Sequence, residues 1–523
     1  MKSASQHGVV LQSASDRRSV HISLGTLALA AAWMVLTLLV QHFIRNGYRG
    51  QSFAFFNHMF TGQARYSMDD YLGRWNVFRW AGLGVILSAG AFLVVAGRSR
   101  PCWLVRLGPP VCAFLLARAL LWVSFVVPAH YIGVNASPGP YRIDGSPSKF
   151  VTRFNLESWS RWDSNVYRSI ARAGYEFYPC DIPRDGTPIA RQGRWCGNCP
   201  WFPGYPALIW LMTRFKVGEL AGAVLVSAIF CLLSLLVLWI ELLGAERTCK
   251  NFLCLLFASL FPGSVFYHAV FPMSMATFFV LLSLYFARRE QWTRCGIAAL
   301  LSSFTYPSGA FLAAVFAIWF FYSFKSLPWR DKLWRTMTIG AGTFIGVAWV
   351  FIVQRLFVGA WFTFLTAQAG YKTPFKGHSG RDVILIFHPV MILVQSAKDV
   401  THWVCAFTGL SRITNPVIVT PKQLIVSASI LFVAATVVLL LAFSVRTARH
   451  SPLEAYQAIF LLVFWLALLS LDNWSGQTRK QGLLLPAVAL ARNLPTWILA
   501  AIVIVAFLFE LLLGALFEKA LVA

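Results

Sequence analysis

The strongest constraint on this chain is a series of long apolar runs. The first covers residues 22–44, a stretch of 23 residues that follows Arg17 and Arg18. A helix rises about 1.5 Å per residue, so about 20 apolar residues cross the hydrocarbon core of a bilayer. The core of a signal peptide is shorter than this run. We therefore interpret it as a retained first membrane helix.

Further apolar stretches repeat this pattern along the chain. They cover residues 77–97, 107–128, 220–243, 251–267, 270–287, 337–356, 424–445, 454–471 and 496–517. The stretch 295–323 is interrupted by Pro307-Ser308-Gly309, which predicts two short half-helices. Charged residues make up only 12% of the chain, against about 25% in soluble proteins. This excludes a cytosolic enzyme and predicts an all-α polytopic membrane protein with about ten to twelve crossings.

Basic residues in short loops predict the orientation. They form four groups, which are Arg98, Arg100 and Arg106; Arg288, Arg289 and Arg294; Lys325, Arg330, Lys332 and Arg335; and Arg446 and Arg449. Because short cytoplasmic loops are enriched in lysine and arginine, these groups predict a cytoplasmic N-terminus. The long loop 129–203 then lies outside, on the periplasmic or extracellular face of the cell (inner) membrane.

The formal charge of the chain is +25. In a membrane protein this charge fits anionic lipid headgroups or phosphorylated lipid substrates. The sequence has no zinc finger and no RNP-like motif, so nucleic acid is not an expected partner. We divide the chain into a three-helix segment (1–128), a large outside loop that carries the candidate catalytic helix (129–216) and the remaining bundle (217–523).

Residues 160–175 within this loop have the pattern of an amphipathic helix. At about 100° per residue, Arg161, Arg168 and Arg172 fall on one face and Asp163 lies opposite them, among apolar side chains. A carboxylate on an apolar face needs a partner, because burial disfavours the charged form. Asp163 is therefore either a helix cap or an acid with a chemical role. The sequence leaves both interpretations open.

Other residues of the loop add candidates. Glu176 places a second acid just beyond the helix, and the segment 200–206 carries Phe202 and Tyr205 between prolines, which is typical of a stiff return to the membrane. The loop also has three cysteines, Cys180, Cys196 and Cys199. A structural disulfide is favoured outside the cytoplasm, with half a zinc site and free thiols as the alternatives.

These motifs together resemble a known family. The pattern W-D-x3-Y-x2-I-A-x2-G-Y, followed by F-P-x-Y-P, is similar to that of the PIG-V family of membrane mannosyltransferases, which belong to the GT-C class of glycosyltransferases. The residues that carry the likeness are Trp162, Asp163, Tyr167, Ile170, Ala171, Gly174, Tyr175, Phe202, Pro203, Tyr205 and Pro206. The likeness covers about residues 150–500, and the first two helices look like an addition. The chain departs from the family pattern at Met273, where an acid is usual, and at Lys480, where tyrosine is usual.

The resemblance implies a GT-C-like bundle that takes a sugar from a polyprenyl phosphate on the outer face of the membrane. The sugar that the family implies is mannose. The acceptor is a lipid or a glycan. Asp163 is then the general base of an inverting transfer. The residues expected near the substrates are Trp162, Tyr167, Tyr175, Glu176, Phe202 and Tyr205. We expect no cofactor beyond the lipid-phosphate sugar itself, and the sequence leaves a divalent metal open.

A lipid-phosphate leaving group needs a cation. Arg479 is the first candidate, because a planar guanidinium binds phosphate in bidentate fashion. Lys480 and His268, which lies in a short outer turn, are further candidates. Each also has a plainer interpretation. Arg479 and Lys480 would then anchor the end of a helix, and His268 would be a structural side chain.

Three other classes compete with a transferase. A transporter or flippase would carry charged residues inside its spans and paired broken helices, whereas only one break is clear. A glycosidase needs two carboxylates about 5–9.5 Å apart, and the acids of the loop leave such a pair open. A membrane scaffold without enzyme activity is the third alternative.

Overall fold

The computed structural model describes residues 23–42, 68–97, 103–126, 155–179, 195–324, 327–371, 388–407, 420–471 and 476–518. The first of these segments form three long helices, α1 (Ser23–His42), α2 (Met68–Gly97) and α3 (Trp103–Val126). The loop region that follows folds into short elements. They are a 3-10 helix (Leu156–Trp159), α4 (Ser164–Ala173), β1 (Phe177–Pro179), β2 (Trp195–Gly197) and α5 (Gly204–Arg214).

The rest of the chain forms the larger part of the bundle. Its helices are α6 (Glu219–Val237) with a π-helical turn (Leu238–Leu242), α7 (Cys249–Ser259), α8 (Val265–His268), α9 (Met273–Arg288), α10 (Trp292–Thr305), a 3-10 turn (Pro307–Phe311), α11 (Leu312–Ser323), α12 (Trp329–Val358), α13 (Thr363–Tyr371), α14 (His388–Phe407), α15 (Pro421–Ala448), α16 (Pro452–Leu471), α17 (Gln477–Gln481), a 3-10 helix (Gly482–Asn493) and α18 (Thr496–Glu518).

The predicted all-α membrane class is confirmed. Within the described residues, eight helices are long and apolar enough to cross a bilayer, namely α1, α2, α3, α6, α12, α15, α16 and α18. Shorter apolar helices lie at Cys249–Ser259, Met273–Arg288 and Pro307–Ser323. The predicted break in the stretch 295–323 is also present, because α10 ends at Thr305 and a 3-10 turn begins at Pro307.

The stretches 251–267 and 270–287 differ from the prediction of two full crossings. The chain leaves helical geometry after Ser259, and Gly263 adopts a left-handed conformation with φ 92°. Glycine is required there, because an added Cβ would overlap the carbonyl oxygen of Thr478. The short helix α8 follows, and α9 begins only after Pro272. This break lets the backbone of α17 approach the turn closely.

The loop elements pack directly on the bundle. The strands β1 and β2 pair antiparallel, with Tyr178 opposite Cys196. The apolar side of α4 joins a small buried cluster with Cys199 and Ala367 of α13. The main core below it contains fully buried aromatic side chains, including Phe266 and Phe271. The loop is therefore a layer fixed to one end of the bundle.

Candidate active site

The helix α4 is amphipathic, as predicted, but Arg168 on its polar face and Arg161 just before it are paired with the bundle. Arg168 Nε lies 2.7 Å from a carboxylate oxygen of Glu219 at the start of α6. Arg161 Nε donates to the backbone carbonyl of Glu518, at a distance of 3.0 Å, and its guanidinium lies 3.7 Å from the Glu518 carboxylate. These contacts hold the helix over the ends of α6 and α18. They therefore also restrict the position of Asp163, the residue just before α4.

Asp163 occupies the N-cap position of α4, yet its side chain makes no capping hydrogen bond. Its carboxylate instead accepts a hydrogen bond from Nη1 of Arg479, across 316 residues of sequence. The exposed fractions of the two side chains are 23% for Asp163 and 15% for Arg479. Both can therefore be reached from outside the core. The structure brings together the acid and the cation that the sequence singled out separately.

Trp162, the residue just before Asp163, has an unusual backbone conformation. Its φ is 52°, a left-handed conformation that bulky residues rarely adopt. The indole packs against the main core, and its buried Nε1 has no hydrogen-bond partner among the described residues. Left-handed non-glycine residues cost free energy and cluster at functional sites. The strain at Trp162 turns the chain so that Asp163 faces Arg479 rather than the helix end.

Arg479 belongs to the short helix α17, which lies against the glycine turn at Gly263. Its guanidinium carbon is 5.8 Å from the centre of the Phe271 ring, which is a cation–π geometry. The Phe271 ring also packs edge-on against Tyr167 of α4, with ring centres 6.1 Å apart. One aromatic ring thus contacts both Arg479 and a tyrosine of α4. Lys480, the next residue of α17, is partly buried.

Tyr167 forms the apolar side of the site. Its ring packs edge-on against Tyr205, with centres 5.6 Å apart. Burial raises the pKa of the Tyr167 hydroxyl well above its usual value, and nearby Tyr306 adds to this effect. The hydroxyl is therefore neutral at physiological pH.

Tyr205 and Phe202 pack as structural side chains. The Tyr205 hydroxyl donates to the carbonyl of Ala223 at 2.9 Å and lies 2.7 Å from the hydroxyl of Ser227, both on α6. Phe202 is buried and packs edge-on against Phe364. These contacts fasten α5 and its entry segment to the bundle.

The end of α4 is organised by a residue that the sequence analysis missed. Nδ2 of the buried Asn198 donates to Ser169 and to the carbonyl of Gly174, and its Oδ1 accepts from the amide of Glu176. An asparagine between glycine and cysteine in a loop is typical of an ordinary turn, so only the fold identifies this role. The Glu176 side chain is exposed.

Tyr175 and Cys199 are also parts of this loop scaffold. The Tyr175 hydroxyl donates to the carbonyl of Trp201 at 2.8 Å. The Cys199 thiol donates to the carbonyl of Glu176 at 3.3 Å, and burial raises its pKa to about 11. Cys199 is a free thiol, whereas Cys196 is disulfide-bonded. Cys180 lies outside the described residues.

His268 lies at the end of α8 and is only 1% exposed. It packs against Phe114 and Trp159, with ring centres 5.1 Å and 6.1 Å away. Burial holds the pKa of its imidazole well below the usual value, and nearby Arg118 lowers it further. The ring is therefore neutral and lies within the core. Among the described residues, it makes no contact with Asp163.

No group of three or more His, Cys, Asp or Glu side chains within the described ranges is arranged to hold a metal ion. In comparisons with known proteins, no protein-family model matches the chain, and no curated protein matches it. The likeness to the PIG-V family therefore rests on the loop motif that carries Asp163.

Proposed function

We propose that this chain is an integral membrane glycosyltransferase that moves a sugar from a polyprenyl phosphate to a lipid or glycan acceptor. The site lies on the outer face of the cell membrane, and the sugar suggested by the family likeness is mannose. The observation that carries the proposal is the contact between Asp163 and Arg479. A base for the acceptor and a cation for the leaving phosphate are the two charges that this reaction requires.

In this proposal the reaction is a single displacement. The acceptor hydroxyl gives its proton to the carboxylate of Asp163 as its oxygen attacks the anomeric carbon. The bond between that carbon and the phosphate oxygen breaks, and its electron pair leaves with the lipid phosphate. One attack from the face opposite the phosphate inverts the anomeric carbon. A positioned general base typically contributes about 10²–10⁴-fold to such a step.

Arg479 stabilises the negative charge that develops on the leaving phosphate. Its Nη1 is bound to Asp163 when no substrate is present, so donor phosphate must share or replace that partner. The exchange substitutes one anion for another at the same guanidinium, and it leaves a carboxylate oxygen free to accept a proton. The cation–π contact with Phe271 keeps the guanidinium in place during the exchange.

A lipid-linked sugar assay tests the proposal. The purified full chain in lipid nanodiscs is supplied with a radiolabelled polyprenyl-phosphate mannose and with extracts of membrane lipids or surface glycans as acceptor. We expect a labelled product whose mass exceeds that of the acceptor by one hexose, together with free polyprenyl phosphate. A parallel reaction with a chelator tests the open question of a divalent metal. Absence of sugar–phosphate cleavage with every acceptor would contradict the proposal.

A transporter or flippase is the second candidate, and one observation favours it. Glu510 lies fully buried in the middle of α18, and Arg118 lies within the span of α3. Ionisable residues inside a membrane span often mark substrate or ion pathways. Donor dependence separates the two functions. A transporter moves its lipid or anion across the bilayer of a proteoliposome and leaves the sugar–phosphate bond intact.

A further inference from the structure

A second polar cluster lies inside the bundle, separate from the pair of Asp163 and Arg479. It contains Arg118 of α3, Trp159 at the end of the first 3-10 helix, and His268 of α8. The guanidinium carbon of Arg118 lies 4.5 Å from the centre of the Trp159 ring. His268 packs on the same indole, with ring centres 6.1 Å apart. We call these three residues the Arg118 cluster.

Each side chain of the Arg118 cluster has a buried nitrogen without a partner. The atoms are Nη1 of Arg118, Nε1 of Trp159 and Nδ1 of His268, and none has a hydrogen-bond partner among the described residues. Trp159 is 0% exposed and His268 is 1% exposed. Buried polar atoms in folded proteins are nearly always satisfied, so three unsatisfied atoms on touching side chains need an explanation.

The chemistry of these nitrogens indicates an acceptor ligand. Guanidinium and indole N–H groups can only donate, and the neutral imidazole can present Nδ1–H. Within the described parts of the chain, Arg118 forms no ion pair. One oxygen of the Glu510 carboxyl accepts from the hydroxyl of Ser264, and its other oxygen has no hydrogen-bond partner there and makes no ion pair with Arg118. The stack on Trp159 compensates only part of the cost of a buried cation. An anion is the acceptor that would also neutralise the charge of Arg118.

The position of Arg118 indicates how such an anion arrives. Arg118 lies eight residues before the end of α3 at Val126, which is about 12 Å along a helix. A long cationic side chain at that depth reaches toward the interface. Arg118 is not fully buried, and Leu115, three residues earlier on the same side of α3, is 46% exposed. An apolar surface therefore lies directly beside the guanidinium.

We propose that the Arg118 cluster binds the phosphate group of a membrane lipid, with the lipid chains lying along α3. Arg118 supplies the charge and a bidentate fork, and Trp159 and His268 each donate one hydrogen bond. The proposal goes beyond the transfer reaction and does not depend on it. The cluster is nevertheless tied to the candidate active site, because the amide of Val270 donates to the carbonyl of Trp159, four residues before Asp163.

Binding of short-chain lipids to the delipidated full chain in detergent tests the proposal. The probes are dihexanoyl phosphatidic acid, dihexanoylglycerol and inorganic phosphate, with affinity measured by thermophoresis. We expect phosphatidic acid to bind, while the phosphate-free lipid does not. Arg118→Gln should weaken binding by about 10- to 100-fold, the loss expected for one charge-assisted hydrogen bond. Arg355→Gln is the matched control, because Arg355 is an exposed arginine near an aromatic ring at the end of α12.

Three results would overturn the proposal. They are equal affinity of the parent and Arg118→Gln for phosphatidic acid, equal loss of affinity in Arg355→Gln, and equal affinity of the parent for dihexanoylglycerol. If inorganic phosphate bound as tightly as phosphatidic acid, the cluster would be a site for free phosphate, and the claim that its phosphate belongs to a lipid would be wrong.

A second variant covers the case in which Arg118→Gln does not fold. Trp159→Phe removes the Nε1–H donor and keeps an aromatic ring under the guanidinium. We expect it to bind phosphatidic acid about 3- to 10-fold more weakly, as for one neutral hydrogen bond. Affinity equal to that of the parent would contradict the geometry proposed for the cluster.

Discussion

Arg479 donates a hydrogen bond to the carboxylate of Asp163, although one residue lies just before α4 and the other in α17. Two structural features make this contact possible. The left-handed backbone at Trp162 turns Asp163 away from the helix end, and the turn at Gly263 admits the backbone of α17. An acid that does not cap its helix and a cation that faces it form the centre of the proposed transfer site.

The first prediction concerns Asp163→Asn. Asparagine is nearly isosteric and keeps a hydrogen-bond acceptor for Arg479, but it cannot take a proton from an acceptor hydroxyl at neutral pH. We expect normal expression and donor binding, with turnover lower by about 10²-fold or more. Steady-state kinetics with the lipid-linked donor measures the effect. Asp331→Asn, at an exposed acid in the first turn of α12, is the control. Turnover within a few-fold of the parent would remove Asp163 as the base.

The second prediction concerns Arg479. In Arg479→Lys the positive charge remains but the planar fork is lost, so donor affinity should fall. Arg479→Ala should be worse, because the carboxylate of Asp163 then also lacks its partner. The measurement is the KM for the polyprenyl-phosphate sugar, together with a binding assay for polyprenyl phosphate alone. If both variants keep the parent kinetics, Arg479 is only an anchor between α17 and α4.

The sequence was sufficient for some features and not for others. The apolar runs predicted the membrane helices because a bilayer imposes their length, and the 3.6-residue period predicted α4. The sequence did not predict the three short helices α7, α8 and α9 in place of two longer ones, because the turn at Gly263 depends on contact with Thr478, over 200 residues later. Nor did it predict that Asp163 and Arg479 meet, because such a contact depends on the packing of the whole bundle.

Side-chain roles were hardest to predict where a residue type is common in both cores and sites. The sequence predicted that His268 lies in a short outer turn. In the structure its imidazole is buried in the core. Tyr205 belongs to the family-like motif, yet its hydroxyl is engaged with α6. The role of Asn198 has no sequence signal, because its three hydrogen bonds join residues that only the folded loop brings together.

The third prediction follows from the contacts of Tyr205. Tyr205→Phe removes the hydroxyl and leaves the buried hydroxyl of Ser227 and the carbonyl of Ala223 with fewer partners. We expect a free energy of unfolding lower by about 1–3 kcal/mol and an unchanged KM for donor and acceptor. Thermal unfolding and kinetics together measure this. Tyr322→Phe, at an exposed tyrosine, is the control. A raised KM at unchanged stability would return Tyr205 to the substrate site.

The fourth prediction concerns the side of the membrane on which the site lies. The basic short loops predict that α4 faces outside and that the start of α12 faces the cytoplasm. Single cysteines at the exposed positions Arg172 and Arg330 report on these two places. In intact cells, an impermeant maleimide should label Arg172→Cys and should label Arg330→Cys only after lysis. The parent chain shows the background from native thiols. The opposite labelling pattern would invert the orientation.

The last prediction concerns Asn198, which connects the end of α4 to the β1–β2 hairpin. In Asn198→Asp the acceptor for the Glu176 amide remains, but both N–H donors are lost and a carboxylate faces the carbonyl of Gly174. We expect faster hydrogen exchange in residues 169–178, because the end of α4 loses its contacts, and slower transfer, because a misplacement of about 1 Å can cost about 10²-fold.

The matched control for this variant is Asn165→Asp, near the start of α4. Asn165 uses its side-chain oxygen to accept from Arg168, and aspartate retains that role. The control should therefore keep the exchange pattern and the kinetics of the parent. Transfer that slows in Asn198→Asp without faster exchange would mean that Asn198 contacts a substrate. Faster exchange at unchanged transfer would mean that the geometry of Asp163 is set at the Trp162 side alone, and that the end of α4 has no part in positioning the base.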